Sequence, residues 1–230
     1  MAADERDDDE LTLGGVQAAA HALARLRPLP PAVVARFGGV LRADELEAIY
    51  TSNAIDGEGA SGHDVAAEIA LTAAVAEALL ARGESLAVAE SATGGLILSL
   101  LTDVPGASAW LRGGLVPYTN ETKRAILGVP AETLAAHGAV SAETALAMAR
   151  GAARLFEATW AIGETGIAGP QTGRRSSKPA GLTYIAVAGV RDGVPIVRVE
   201  RVLLEHPGDR VNVKRAFADA ALALALRVLR

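Results

Sequence analysis

Three side chains of the type that can hydrolyse an amide lie close together in the sequence: Ser108, Tyr118 and Lys123. Ser108 follows a helix stop made by proline and glycine, Tyr118 ends a predicted strand, and Lys123 lies in the first turn of the next predicted helix. A serine hydroxyl becomes a good nucleophile only when a base takes its proton, and a lysine whose pKa is lowered by burial can be that base. The alternative interpretation is that Lys123 is solvated and Tyr118 is a core aromatic residue.

A glycine-rich turn is the second candidate for chemistry. Residues 87–95, Ala-Val-Ala-Glu-Ser-Ala-Thr-Gly-Gly, lead from an apolar strand-like stretch into a helical pattern over 96–101. Ser91 and Thr93 can cap that helix, while Gly94 and Gly95 allow a ligand to approach the backbone. Bare amides at a helix start favour an anion, so the turn predicts a site for a small phosphate or carboxylate. Plain helix capping is the alternative.

Two further segments carry candidate binding residues. Thr165 and Gly166 begin a tight turn, 165–170, after a predicted strand, and open α/β sheets bind ligands at the carboxyl ends of strands. A turn with a purely structural role is the alternative. The basic loop over 171–179 and Arg210, which follows the candidate N-cap Asp209, are able to contact an anionic ligand.

Composition excludes several classes of function. The chain has no cysteine and four separated histidines, so neither a thiol nucleophile nor a catalytic metal is expected. A net charge of −5 and 3% aromatic residues argue against a nucleic-acid surface. No apolar run spans a membrane and the N-terminus is acidic, which predicts a cytoplasmic protein without membrane contact.

The pattern along the chain changes near residue 65. Residues 1–65 are predicted to form an acidic tail and a small helical appendage of unknown function. From 66 to 230, helices alternate with apolar strand-like runs, which is typical of an α/β domain, and a hairpin at Arg191-Asp192-Gly193 makes its sheet mixed. Strands are predicted at 86–89, 114–119, 159–165, 182–190 and 195–204, and helices at 63–80, 96–101, 121–127, 131–136, 141–156 and 209–229.

Seven segments in order carry a family resemblance. Each is written here with the number of its first residue: Ala89-Glu-Ser-Ala-Thr-Gly-Gly, Thr102-Asp-Val-Pro-Gly-Ala-Ser, Val116-Pro-Tyr-Thr-Asn-Glu-Thr-Lys, Leu127-Gly-Val-Pro, His137-Gly-Ala-Val-Ser, Thr165-Gly-Ile-Ala-Gly-Pro and Lys178-Pro-Ala-Gly-Leu-Thr-Tyr-Ile-Ala. Together they resemble the C-terminal domain of the competence-damage-inducible protein CinA and its stand-alone relatives, the nicotinamide mononucleotide amidohydrolases (PncC family). The resemblance covers roughly residues 66–230.

This resemblance implies a three-layer α/β/α sandwich that is commonly a homodimer, with no metal or cofactor. It implies hydrolysis of the carboxamide of nicotinamide mononucleotide to nicotinic acid mononucleotide and ammonia. Ser108 would be the nucleophile, Lys123 its base and Tyr118 the residue that orients or relays the proton. Substrate would be contacted by Ser91, Thr93, Gly94, Gly95, Thr165, Gly166 and Arg210. The alternative function is a non-catalytic nucleotide-binding or interaction module linked to competence or DNA damage.

Two features depart from the family pattern. Glu164 stands where an apolar or small residue is usual, and residues 171–177 replace a glycine- and acid-rich stretch with a basic one. Both flank the expected cleft. A carboxylate at position 164 is expected to disturb Lys123 or to repel a phosphate.

Overall fold

The computed structural model describes residues 65–170, 177–205 and 207–230. The predicted N-terminal appendage and most of the basic loop over 171–179 lie outside the described residues. Contacts divide the chain into two units, Met1–Ile69 and Ala70–Arg230, and the described helices and strands belong almost entirely to the second. Among the described residues, no helix combines the length and the hydropathy that a membrane span needs.

Helices and strands alternate along the described chain, as the sequence pattern predicted. In chain order they are α1 (Val65–Leu80), β1 (Leu86–Ala89), α2 (Leu96–Thr102), a 3-10 turn (Ala107–Ala109), β2 (Leu111–Leu115), α3 (Asn120–Leu127), α4 (Ala131–His137), α5 (Ala142–Leu155), β3 (Trp160–Ile167), β4 (Leu182–Arg191), β5 (Val194–Leu203) and α6 (Arg210–Leu229).

The five strands form one mixed sheet in the order β2-β1-β3-β4-β5. β2, β1 and β3 are parallel, whereas β4 and β5 run antiparallel to their neighbours. Asp192 and Gly193 have φ values of 53° and 77°, the positive pair that a two-residue hairpin turn needs, which confirms the predicted hairpin. Because parallel strands end at the same edge, the residues that follow β1, β2 and β3 meet there.

Small residues on β1 and β3 let α5 approach the sheet closely. Ala87, Ala89 and Ala161 pack with Ala149 and its neighbours on α5, and all are fully buried. A Cβ added at Gly163 would lie 2.2 Å from a backbone oxygen of α5. On α6, Val213 and Phe217 form a second core cluster with Ala92 and Ala168. The architecture is therefore the expected three-layer α/β/α sandwich with a mixed sheet.

The position of β2 differs from the prediction, which placed this strand at 114–119. The strand ends at Leu115, and Thr119 instead caps α3. The predicted strand began at Gly114, whereas in the structure Gly113 and Gly114 both lie inside β2. A Cβ at Gly114 would lie 2.5 Å from the Val88 carbonyl oxygen of the neighbouring strand. Glycine is required inside β2 because β1 and α2 pack directly against it.

The close contact between β3 and α5 gives a stability prediction. We expect Gly163→Ala to lower the free energy of unfolding by about 3 kcal/mol, since the added methyl group meets rigid backbone. Gly83→Ala is the control, because its Cβ enters open space and only the left-handed backbone, φ 62°, costs about 1 kcal/mol. Urea unfolding measures both. Equal losses in the two variants would contradict the packing argument.

Candidate active site

The amine of Lys123 is buried beside a serine hydroxyl. Lys123 lies in the first turn of α3, which a Thr119–Thr122 capping box fixes at its start. Its side chain is 1% exposed, and Nζ donates to Ser91 Oγ at 3.0 Å and to the Pro117 carbonyl oxygen at 2.8 Å. The alternative interpretation of a solvated Lys123 is therefore wrong.

Burial also changes the proton affinity of this amine. Desolvation lowers the pKa of the Lys123 ammonium from 10.5 to about 8, although the nearby Glu164 carboxylate opposes the shift. With that pKa, roughly a tenth of the amine is unprotonated at pH 7, far more than for a solvated lysine. The geometry and the pKa together allow Lys123 to accept the proton of the Ser91 hydroxyl.

Ser108, the serine expected to be the nucleophile, does not meet Lys123. Ser108 is exposed in the 3-10 turn that precedes β2, whereas Tyr118 and Lys123 follow the end of β2. The strand of five residues separates the two edges of the sheet by about 16 Å at roughly 3.3 Å per residue. Ser91, and not Ser108, is the serine that lies at the same edge as Lys123, because β1 and β2 are parallel and the residues after both share one edge.

Tyr118 lies on the surface at the same sheet edge as Ser91 and Lys123. It is 60% exposed, so it is not a core aromatic residue, and its hydroxyl accepts a hydrogen bond from Arg210 Nη2 at 3.1 Å. Arg210 Nη1 donates to the Gly169 carbonyl oxygen at 2.8 Å. Lys123 reaches the carbonyl of Pro117, directly before Tyr118. The structure therefore gathers Ser91, Lys123, Tyr118 and Arg210 at one edge.

The protein's own carboxylates occupy three amides of the Ser91 turn, residues 90–95, and two amides of the helix that follows. Glu90 is fully buried; its Oε2 accepts hydrogen bonds from the Gly95 and Ile97 amides and its Oε1 from the Leu98 amide. The helix N-cap is Gly95, without a side-chain cap. The expectation that Ser91 and Thr93 cap α2, and that its amides stand bare, is therefore wrong.

Glu164 holds the other side of the Ser91 turn. Its Oε2 accepts from the backbone amides of Ser91, at 3.0 Å, and Thr93, at 3.2 Å, while Thr183 Oγ1 lies 2.9 Å from Oε1. Burial raises the pKa of the Glu164 carboxyl above its usual 4.5, and the hydrogen bonds from Ser91, Thr93 and Thr183 partly oppose that shift. The residue that departs from the family pattern is thus a structural part of the site.

Two residues predicted to contact substrate, Thr165 and Gly166, have structural contacts of their own. The Thr165 hydroxyl is buried and donates to the Ala139 carbonyl oxygen at 2.7 Å, which ties β3 to the loop before α5. A Cβ at Gly166 would lie 2.8 Å from Thr183, so Gly166 allows the close pairing of β3 with β4. Thr93 is also fully buried, and its hydroxyl faces Glu90 and Glu164.

A pocket of about 380 Å³ opens beside the Ser91 turn. Gly94 and Gly95 line one wall, and Lys214 and Arg215 of α6 line the other. Lys214 Nζ would lie 3.2 Å from a Cβ at Gly94, so its amine rests close to the turn. In residues 65–170, 177–205 and 207–230, no group of three His, Asp or Glu side chains is arranged to hold a metal ion.

Three residues of the site, Glu90, Lys214 and Arg215, were not predicted from the sequence. Glu90 was visible as a carboxylate directly after a buried strand and before a glycine turn, a position where it can accept amides at a helix start. Lys214 follows Arg210 by four positions, so the two share one side of α6, and Arg215 stands in the same way to Val211.

The buried amine predicts a pH dependence of stability. Lys123 has a pKa of about 8 when folded and 10.5 when solvated, so the folded state binds fewer protons between these values and gains stability as the pH rises. We expect the stability of wild type relative to Lys123→Met to increase by on the order of 3 kcal/mol across that range. Urea unfolding of both proteins from about pH 7 to 10 measures it. A constant difference would contradict a depressed pKa.

Comparison with known proteins identifies the family. The family model described as the CinA C-terminal domain matches residues 68–229. A CinA-like protein of Anaeromyxobacter sp. (strain Fw109-5) is 49% identical over 160 residues, covering 70% of this chain and 37% of that protein. A CinA-like protein of Frankia casuarinae is 45% identical over 163 residues, covering 71% of this chain and 36% of that protein. The chain thus spans little more than a third of these relatives.

Solved structures agree with this assignment. The competence/damage inducible protein CihA of Agrobacterium tumefaciens is similar with a TM-score of 0.65 and 37% identity, over 71% of this chain and 95% of that one. A CinA superfamily protein of Klebsiella pneumoniae is similar with a TM-score of 0.64 and 35% identity, over 70% of this chain and 97% of that one. The sequence, the sheet order and the matched relatives lead to one conclusion: this chain belongs to the CinA C-terminal domain family.

Proposed function

We propose that this protein hydrolyses the carboxamide of nicotinamide mononucleotide, releasing ammonia, with Ser91 as the nucleophile and Lys123 as its base. The observation that carries the proposal is the hydrogen bond between the buried Lys123 amine and the Ser91 hydroxyl, 3.0 Å long. A serine and a lysine with a lowered pKa form a nucleophile and base pair that needs neither thiol nor metal.

In the first step, the unprotonated Lys123 amine takes the Ser91 proton while Ser91 Oγ forms a bond to the carboxamide carbon. The resulting ammonium then returns the proton to the departing nitrogen as the carbon–nitrogen bond breaks. This releases ammonia and leaves an ester on Ser91. Water, deprotonated by the same amine, attacks that ester to give the carboxylic acid and restore Ser91.

The negative oxygen of the tetrahedral intermediate needs donors close to Ser91. Carboxylates already occupy the amides of Ser91 and Thr93, but those of Ala92 and Gly94 donate to no acceptor in the described part of the chain. We assign these two amides as the oxyanion donors. Tyr118, whose hydroxyl is held by Arg210, orients the carboxamide or the leaving nitrogen at the mouth of the site.

The substrate class follows from charge. Lys214 and Arg215 line the pocket beside the Ser91 turn, and their ammonium and guanidinium groups suit a phosphate. A mononucleotide of nicotinamide carries both a neutral carboxamide and a phosphate, and in this proposal the phosphate lies near α6 and the carboxamide near Ser91.

The role of Ser91 is tested by a pair of serine variants. Ser91→Ala should lower the rate of ammonia release from nicotinamide mononucleotide by at least about a thousandfold, because the attacking oxygen is lost. Ser108→Ala is the matched control and should stay within about twofold of wild type, since Ser108 is exposed at the other edge of the sheet. Loss of activity in Ser108→Ala alone would refute the assignment. Tight binding without ammonia release by wild type would favour the non-catalytic module.

The pocket gives a second prediction. Lys214→Ala should raise the KM for nicotinamide mononucleotide by about tenfold, the effect of one charge-assisted contact to phosphate, and should leave nicotinamide riboside unaffected. Arg227→Ala, near the other end of α6 where it pairs with Glu200, is the control. Equal effects of Lys214→Ala on both substrates would show that the phosphate does not bind at Lys214.

A further inference from the structure

Two buried carboxyl groups share a single hydroxyl at the Ser91 turn. Glu90 and Glu164 are both fully buried, and Thr93 Oγ1 lies 2.7 Å from Glu90 Oε2 and 3.0 Å from Glu164 Oε2. A threonine hydroxyl has one proton, so it donates to one of these oxygens. With both carboxyls ionised, two like charges would share one dry site, and one of the two oxygens would face a lone pair of the Thr93 hydroxyl instead of its proton. Such pairs hold a proton instead.

The same count of protons applies to the other oxygen of Glu164. Thr183 Oγ1 lies 2.9 Å from Glu164 Oε1 and 3.1 Å from the Thr165 carbonyl oxygen. One hydroxyl proton serves one of these two acceptors. A proton on Glu164 Oε1 satisfies both contacts of Thr183, because it is donated to Thr183 Oγ1 while the Thr183 proton goes to the Thr165 carbonyl. It also removes the second negative charge beside the Thr93 hydroxyl.

The surroundings of the two carboxyls decide which one carries the proton. Glu90 accepts three backbone amides at the start of α2, from Gly95, Ile97 and Leu98, an environment that stabilises an ionised carboxylate. Glu164 accepts two amides, both on Oε2, and its Oε1 faces a hydroxyl. Burial raises the pKa of the Glu164 carboxyl, which likewise favours its protonated form.

We propose that Glu164 is a neutral carboxylic acid in the folded protein, with its proton on Oε1, and that it is a positioning residue holding the Ser91 turn without a negative charge beside Lys123. As part of the proposed amidase, which this consequence assumes, a neutral Glu164 removes the one carboxylate that would raise the pKa of Lys123. The base then titrates no higher than about pH 8.

The other charged groups around Glu164 leave this assignment intact. Glu90 faces it from the end of β1 through Thr93, and Lys123 faces it from α3 through Ser91. On β4 the contact is the uncharged Thr183. From α6, Lys214 lies against Gly94 and Arg210 against Tyr118. A charge on Glu164 would therefore change the titration of Lys123 directly.

Glutamine substitution separates the two protonation states. In Glu164→Gln the amide oxygen accepts the Ser91 and Thr93 amides and the amide nitrogen donates to Thr183, which copies the neutral acid. Only three lysines occur in the chain, so NMR of lysine carbons labelled at Cε resolves Lys123, assigned with Lys123→Met. We expect Glu164→Gln to leave the titration midpoint of Lys123 unchanged, because the glutamine carries the same charge as the neutral acid. A lower midpoint in Glu164→Gln overturns the proposal.

Infrared spectroscopy gives a readout that needs no substrate, and the band of the wild-type protein does not depend on any variant. Protein labelled with 13C at the glutamate carboxyl should show, at neutral pH, the carbonyl band of a buried protonated acid, lost in Glu164→Gln and kept in Glu90→Gln. No such band in wild type, or its loss in Glu90→Gln only, overturns the proposal. A protein without amidase activity but with this band would refute the proposed function alone. With activity present, the rising limbs of the pH profiles of wild type and Glu164→Gln should coincide.

Discussion

The burial of one amine is the constraint on which the rest of the site depends. An ammonium group loses much of its hydration inside a protein, so Lys123 is tolerated only where its nitrogen has acceptors, and Ser91 and Pro117 provide them. The capping box at Thr119 fixes where α3 begins and therefore which side of the helix faces inward. Leu127, one turn further along, is buried on the same side. A local signal at a helix start thus positions a base.

Near that amine, two glutamate side chains accept hydrogen bonds from backbone amides that the sequence predicted to bind an anionic ligand. Glu90 and Glu164 occupy the amides of the Ser91 turn from opposite sides, and both are fully buried. Gly94 and Gly95, with φ values of 68° and 102°, allow the tight path between these carboxyls. The turn is consequently held by contacts within the protein, and in the proposed function the positive charge that attracts an anionic ligand comes from α6 instead.

Much of the fold followed from local sequence signals, whereas the site depended on how strands are arranged. The hairpin at Asp192-Gly193 and the caps at Ser141 and Asp209 were predictable because each depends on a few adjacent residues. The serine that contacts Lys123 was not predicted. Residues before and after a strand lie at opposite edges of a sheet, which separates Ser108 from Lys123. The contact of Glu164 with Thr183 requires the register of β3 on β4, which hydrophobic periodicity leaves open.

The Ser91 turn draws its contacts from segments far apart along the chain, with α3 supplying Lys123, β3 supplying Glu164 and β4 supplying Thr183 through that carboxyl. No peptide cut from the β1 to α2 region could preserve this geometry, because three other elements must already be folded. Catalytic competence, if the turn carries it, belongs to the cooperative unit as a whole. Local opening of the sheet anywhere between β2 and β4 would disable the turn well before the chain lost its compactness.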